Sequence, residues 1–383
     1  MRLLAACSLG GAGHLNPLVP FLDHAAAAGH EVLVVAVADM AEMVERTGHR
    51  FAAGGAPTEE EIAPIREQLP VLPEHEAAVL GNRDLFGRLA TRAMLPEMTR
   101  IFEDWRPDAV LRDPVEYASA VVAGRHGVPH RQVAISLAAV EWGSLDLATP
   151  VLEELDKGLP DRLRSAPYLS RFPAWVDPSP FPTTVRYRDP SPARGTSRPD
   201  PWPPGEGPRI YLTFGTVLGY MTYARSVYET AVGALADLPV RILLTVGRRF
   251  DQASLGRLPD NVRIQPWVDQ ADILGEADLV VCHGGSGTVL GALAAGVPIV
   301  VVPVFADQFA NARWVSASGA AEVVEPVPAE VSDVRRIIGG DDRPRIAAAV
   351  QRVLGDPTYR NAAGKVAAEI AALPAVDRLI EDW

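Results

Sequence analysis

Short, unbroken runs of apolar residues, each followed by a turn and a longer helical stretch, recur along this chain and most constrain its fold. A strand with one wet face alternates apolar and polar side chains. A continuous apolar run is instead a strand covered on both faces, as in a parallel sheet sandwiched by helices. Residues 3–8 (LLAACS) are the first such run. A glycine-rich turn follows, and Pro17 stands where the first turn of a helix tolerates proline. Leu18, Phe21, Leu22 and Ala25 mark one helical face, Gly29 is a C-terminal stop, and residues 31–38 (EVLVVAVA) are the next strand. That sequence of elements is a βαβ unit.

The middle of the first half is less regular. Residues 55–100 read as mostly helical, with Pro57, Pro64, Pro70 and Pro73 interrupting. Alternation returns with a strand at 108–111, a helix at about 116–126 and a strand at 130–135, whereas residues 141–185 give no clear assignment. Residues 189–208 (DPSPARGTSRPDPWPPGEGP) contain seven prolines and almost no apolar periodicity, the mark of an exposed linker. The rhythm then restarts, with strands at 209–214, 241–246, 262–267, 278–282 and 298–304, and helices from about Arg343 to the end. The expected fold is α/β: two Rossmann-like doubly wound domains facing a cleft. Their expected bounds are 1–188, a linker at 189–208, 209–370, and a terminal helix at 371–383 that could cross back to the first domain.

Composition removes several function classes. A net charge of −12 speaks against a broad nucleic-acid footprint. No run approaches the roughly 20 apolar residues needed to span a bilayer, so no stable membrane insertion is expected. The apolar start breaks at Gly10 before a signal-peptide core can develop. The two cysteines, Cys7 and Cys282, form no disulfide framework, which suits the cytoplasm.

Ligands of open α/β sheets bind at the carboxyl ends of strands, and four stretches lie there. The first is Gly10-Gly11-Ala12-Gly13-His14-Leu15-Asn16-Pro17. It fits a dinucleotide fingerprint poorly, because Asn16 stands at the third glycine of GxGxxG. Alone, His14 is open between a catalytic base and a capping or packed histidine. The second is Asp113, directly after a strand, where it would lie on the same sheet edge as His14; paired, the two would resemble the His–Asp half of a triad. Alone, an Asp before Pro114 is equally a turn residue.

The third stretch, His283-Gly284-Gly285-Ser286-Gly287-Thr288, joins a strand to a helix N-terminus, an arrangement that offers free N–H groups to an anion. It is neither a P-loop nor a nucleophile elbow. The fourth is Asp307-Gln308, an acid and amide able to bond vicinal sugar hydroxyls together, or simply a helix cap. Trp267 offers an aromatic face for a planar base, or a core side chain.

Together these stretches resemble the family-1 nucleotide-sugar glycosyltransferases, especially bacterial enzymes that decorate antibiotics and other natural products. The resemblance spans nearly the whole chain, and its most specific part is residues 262–311, ending VPVFADQFAN. It implies the GT-B arrangement, with acceptor in the N-terminal half and nucleotide sugar in the C-terminal half. It implies that His14 deprotonates the acceptor hydroxyl and that Asp113 orients it. It further implies that Trp267 stacks on the base with Val268 and Gln270 beside it, and that Thr216 lies near the phosphates. His283, Ser286, Gly287 and Thr288 would grip the diphosphate, while Asp307 and Gln308 hold the transferred sugar. Asp269 is a departure, since the family pattern has proline there.

The resemblance implies an inverting hexosyltransferase-type enzyme that takes a dTDP- or UDP-sugar and a small-molecule acceptor. No DxD pair occurs in the chain, so neither metal nor cofactor is expected. The acceptor pocket is expected from residues 55–100 and 135–180, with Trp142, Tyr168, Phe172 and Trp175 as candidate walls that are otherwise core. The chain is expected to be a monomer or homodimer. Two other functions fit the same pattern: a MurG-like transferase to a lipid-linked acceptor, and a non-catalytic nucleotide-sugar-binding auxiliary protein.

Overall fold

The computed structural model describes residues 1–9, 11–69, 72–189, 200–304, 307–326 and 337–380. Residues 190–199 of the expected linker, Gly10, and residues 305–306 therefore lie outside the described residues. The chain divides into two compact units, Met1–Pro190 together with the segment from Leu373 onward, and Ser191–Ala372.

In the first unit, β1 (Arg2–Ala6), β2 (Glu31–Val37), β3 (Arg50–Gly54), β4 (Ala109–Arg112), β5 (His130–Val133), β6 (Tyr168–Ser170) and β7 (Thr184–Arg186) form one sheet. Its order is β3-β2-β1-β4-β5-β6-β7, and every neighbouring pair is parallel. The continuous apolar runs explain its centre: residues 3–7 and 34–36 have no exposed surface. Helices Val19–Ala27 and Ala118–His126 supply Phe21, Leu22, Val122 and Ala123 to the same core. β3, β6 and β7 lack such runs, and the sequence pattern misses them; β3 and β7 are half-buried edge strands.

Strand order reverses between β1 and β4. Ala6 pairs with Arg112, so the loops leaving these two strands open side by side, where an open α/β sheet leaves a crevice. The irregular stretch is helical, with helices Glu59–Gln68, Glu74–Val79 and Thr91–Trp105, and a wide helix with i→i+5 bonding at Leu80–Ala90. Pro64 lies inside the first of these rather than ending it, because the reciprocal capping box of Thr58 and Glu61 anchors its start. The C-terminal segment joins this unit: Arg188 N–H donates to the Pro374 carbonyl (2.9 Å), and Val376 is buried in the core.

The second unit repeats the plan. Strands β8 (Arg209–Thr213), β9 (Arg241–Thr245), β10 (Val262–Gln265), β11 (Leu279–Cys282), β12 (Ile299–Val301) and β13 (Ala321–Val323) form an all-parallel sheet in the order β10-β9-β8-β11-β12-β13. Its order reverses between β8 and β11, where Thr213 pairs with Cys282. The turns after these two strands hold the Gly215-Thr216 and His283–Thr288 stretches.

Candidate active site

In the first unit, the turn after β1 carries His14 on the short helix Ala12–Leu15, and β4 delivers Asp113. His14 Nδ1 lies 3.0 Å from Asp113 Oδ2, with the histidine side chain 15% exposed and the aspartate fully buried. Asp113 is held from every side. Its Oδ2 also accepts the Ser8 N–H (2.7 Å), and Oδ1 accepts the N–H groups of Val115 (2.8 Å) and Glu116 (2.9 Å). A carboxylate so bonded is an acceptor only, so His14 must present Nδ1–H to it. The lone pair is thereby placed on Nε2, the tautomer a general base requires.

The surrounding shell fixes this couple. Arg112 is fully buried, and its Nη1 donates to the carbonyls of Asp113, Pro114 and Glu116 while Nη2 donates to Gln132 Oε1. One guanidinium thus satisfies the carbonyls of the turn that holds Asp113, while its own Nε is buried without a partner among the described residues and burial pulls its pKa down. Burial pushes the Glu116 carboxyl up to about 7, although it still accepts the Ser119 N–H and hydroxyl. A narrow cleft with room for about one water molecule adjoins, lined by Ser8, Gly55, Thr91, Met94, Glu116 and Tyr117 among others.

In the second unit, His283 leaves β11 and is wedged between two glycines. A Cβ on Gly215 would come 2.8 Å from its Nε2, and one on Gly285 would come within 2.5 Å. Gly215 also has φ +74°, so no other residue fits there without strain. The His283 ring bonds to the Thr213 backbone, and its Nδ1 is buried with no partner among the described residues. Burial pushes the imidazole down to about 4, partly offset by the Asp307 carboxylate, so the ring is neutral at neutral pH.

Directly beyond, Gly285 caps helix Ser286–Ala294, whose first N–H groups have no intrahelical partner. Thr288 lies in its first turn, and its hydroxyl oxygen accepts from Gln270 Nε2 (3.1 Å), leaving the hydroxyl hydrogen for another acceptor. Asp307 and Gln308 open helix Gln308–Ala317. Ser286 Oγ donates to Asp307 Oδ2 (3.3 Å), and Gln308 Oε1 accepts the Val304 N–H (2.9 Å).

The expected nucleotide-side residues therefore gather on one sheet edge: Thr216 after β8, Trp267, Val268 and Gln270 after β10, His283 to Thr288 after β11, and Asp307 with Gln308 after β12. Trp267 is 48% exposed, with the Arg248 guanidinium 5.0 Å from its ring centroid. The departure at Asp269 has a local cause, since its side chain accepts the Ala271 N–H and caps helix Gln270–Leu274.

Two of the candidate acceptor walls are corrected. Tyr168 and Phe172 have no exposed surface, with Tyr168 stacked on Phe181 and bonded to Glu141, and so belong to the interior. Trp175 is 52% exposed, and Trp142 packs edge-on against Phe181.

Sequence reading overlooked Asn311. Fully buried, its Nδ2 donates to the Gly284 carbonyl (2.9 Å), Ser286 Oγ (3.1 Å) and Asp307 Oδ2 (3.1 Å), tying the glycine turn to the acid. Its spacing four residues after Asp307 on one helix was the available signal. The described residues contain no cluster of three His, Cys, Asp or Glu side chains able to hold a metal ion.

Two Rossmann-like units, each with its polar groups at the strand-order reversal, define a GT-B glycosyltransferase build. Two family models match: the erythromycin biosynthesis protein CIII-like N-terminal domain over residues 24–154, and the corresponding C-terminal domain over residues 229–382. The chain is 31% identical to the L-demethylnoviosyl transferase of Streptomyces niveus, covering 98% of this chain and 95% of that one. It is 30% identical to the elloramycin glycosyltransferase of Streptomyces olivaceus, covering 98% and 94%. The glycosyltransferase of Streptomyces sp. SF2575, solved with thymidine diphosphate, superposes with a TM-score of 0.74 at 27% identity, with full coverage of both chains. The chain belongs to the bacterial natural-product family-1 glycosyltransferases and is a hexosyltransferase-type enzyme.

Proposed function

We propose that this enzyme moves a deoxysugar from a thymidine diphosphate donor to a hydroxyl of a small-molecule natural product, inverting the anomeric carbon and using neither metal nor cofactor. The observation that carries the reading is the 3.0 Å bond from His14 Nδ1 to a fully buried Asp113. It leaves Nε2 as a base on the rim of the first unit's crevice. Thymidine is favoured over uridine because the Streptomyces sp. SF2575 relative was solved with thymidine diphosphate. The relatives' names, a demethylnoviosyl and an elloramycin transferase, support an antibiotic-type acceptor.

The step then balances. Nε2 of His14 takes the hydroxyl proton while the acceptor oxygen bonds to the anomeric carbon. The bond from that carbon to the diphosphate oxygen breaks, and the electron pair leaves with the nucleotide. General-base assistance contributes about a hundredfold to ten-thousandfold. The charge gained by the diphosphate meets the N-terminus of helix Ser286–Ala294, worth about 0.3–2 kcal/mol, with the Thr288 hydroxyl adding to it. Asp307 and Gln308 would hold the sugar hydroxyls, and Trp267 the base. In this reading uncharged donors and a helix end meet the leaving group in place of a metal. Both cysteines are free and buried, which suits the reducing cytoplasm proposed for the enzyme.

The test is transfer from a thymidine diphosphate sugar to a panel of hydroxylated aglycones in excess chelator, with the product's anomeric configuration read by NMR. The reading requires an inverted product at an undiminished rate. A retained configuration, or loss of activity in chelator, overturns that part of it. Thermal shifts with thymidine and uridine diphosphate decide the donor, because a ligand at a hundred times its Kd stabilises by about 2.7 kcal/mol.

A further inference from the structure

The edge of the His14 ring is fixed by Asp113, but an edge contact alone lets the ring rock about the Nδ1···Oδ2 line. The main chain places the residue without fixing the ring's rotation: Leu15 of the four-residue helix is fully buried in the core with β1, and the Cys7 thiol contacts the His14 carbonyl (3.9 Å). The face of the ring has its own partner. Phe86 stacks on His14 with centroids 5.9 Å apart and planes inclined by 23°.

Phe86 is placed by unusual backbone. It lies within the wide helix Leu80–Ala90, whose i→i+5 turns advance each side chain by a smaller angle than an α-helix does. The register is locked on both sides. The Phe86 carbonyl accepts the hydroxyl of Thr91, which is 2% exposed (2.8 Å). At Gly87 the helix meets helix Ala138–Leu155 so closely that a Cβ would lie 2.9 Å from Val151 Cγ2 and 3.2 Å from Ala148 Cβ. Phe86 itself packs on the apolar cluster of Leu145, Ala148 and Leu152. A wide turn, a hydroxyl tie and a glycine contact together aim one aromatic ring at the histidine.

We propose that Phe86 is a positioning residue for the transfer reaction, holding the His14 imidazole in the plane that bonds Asp113 and aims Nε2 at the acceptor hydroxyl. This rests on His14 being the base. It assigns no contact with either substrate to Phe86.

Two measurements test it. In steady-state kinetics, Phe86→Ala should lower kcat about tenfold through a misaligned base while leaving the acceptor KM within about twofold. Phe86→Leu, which keeps apolar volume without a flat ring, should follow Ala, and Phe86→Tyr should recover most of the loss. In proton NMR, the downfield Nδ1–H resonance of His14, assigned by its absence in His14→Ala, should persist in Phe86→Tyr and broaden by exchange in Phe86→Leu and Phe86→Ala. An acceptor KM that rises at constant kcat makes Phe86 an acceptor contact and overturns the proposal. So does an Nδ1–H resonance unchanged in Phe86→Leu. The NMR readout does not depend on turnover, so it stands or falls separately from the assignment of His14 as base.

Discussion

Asp113 has no spare acceptor, and replacing it by Asn makes a sharp prediction. Its four bonds come from Ser8, Val115 and Glu116 N–H groups and from His14 Nδ1. An amide must set its NH₂ against donors in either orientation. Facing Val115 and Glu116, it sets its hydrogens against two buried backbone N–H groups, of which only Glu116 keeps a second acceptor, the residue-113 carbonyl (3.2 Å), and this is the more strained choice. Facing Ser8 and His14, it orphans one backbone donor, costs about 1–3 kcal/mol of stability, and can still donate to an Nδ1 stripped of its proton. The proton then resides on Nε2, and the base is lost. Asp113→Asn should therefore fold, melt somewhat lower, and lose about 10²–10⁴ in kcat. Thymidine diphosphate affinity, measured by calorimetry, should stay within about twofold, since the groups proposed to bind it belong to the other unit. A kcat within about threefold of the wild type would refute the reasoning, because it would show that the tautomer does not matter.

Three further outcomes follow from the geometry. Gly285→Ala places a Cβ 2.5 Å from the His283 ring and should weaken thymidine diphosphate about tenfold in calorimetry; unchanged affinity would place the diphosphate elsewhere. Trp267→Ala should cost about 1–3 kcal/mol of nucleotide affinity if the exposed indole stacks on the base, and no change would remove it from the site. The pH dependence of stability has two opposed limbs. His283 falls from 6.5 to about 4 on folding, so the unfolded chain binds the extra proton between those values and stability drops as pH falls through them. Glu141 rises from 4.5 to about 8, so the folded chain keeps a proton the unfolded chain has released, and stability drops as pH rises from 4.5 to 8. Denaturant midpoints for Glu141→Gln should accordingly gain on the wild type across pH 5–8, and parallel profiles would refute the assignment.

The two sheets were legible because their central strands are buried on both faces and must be continuously apolar, as β1, β2 and β11 are. The edge strands β3 and β7 were not, since a half-buried strand such as RFAAG has no run to detect. Pairing His14 with Asp113 could be anticipated from strand ends, but their adjacency depends on β1 lying next to β4, which spacing does not encode. Phe86 was invisible for a related reason: its direction is set by a wide helix turn that propensity does not reveal. Tyr168 stood open between wall and core because an aromatic's burial depends on partners distant in sequence, here Glu141 and Phe181, which place it in the core.

The most direct measurement is turnover and thymidine diphosphate titration on a single preparation of His14→Ala. The account predicts a kcat lower by about 10²–10⁴, with nucleotide affinity within about twofold of the wild type. Turnover at the wild-type rate would show that the buried His14–Asp113 couple is structural and that the proton leaves by another route.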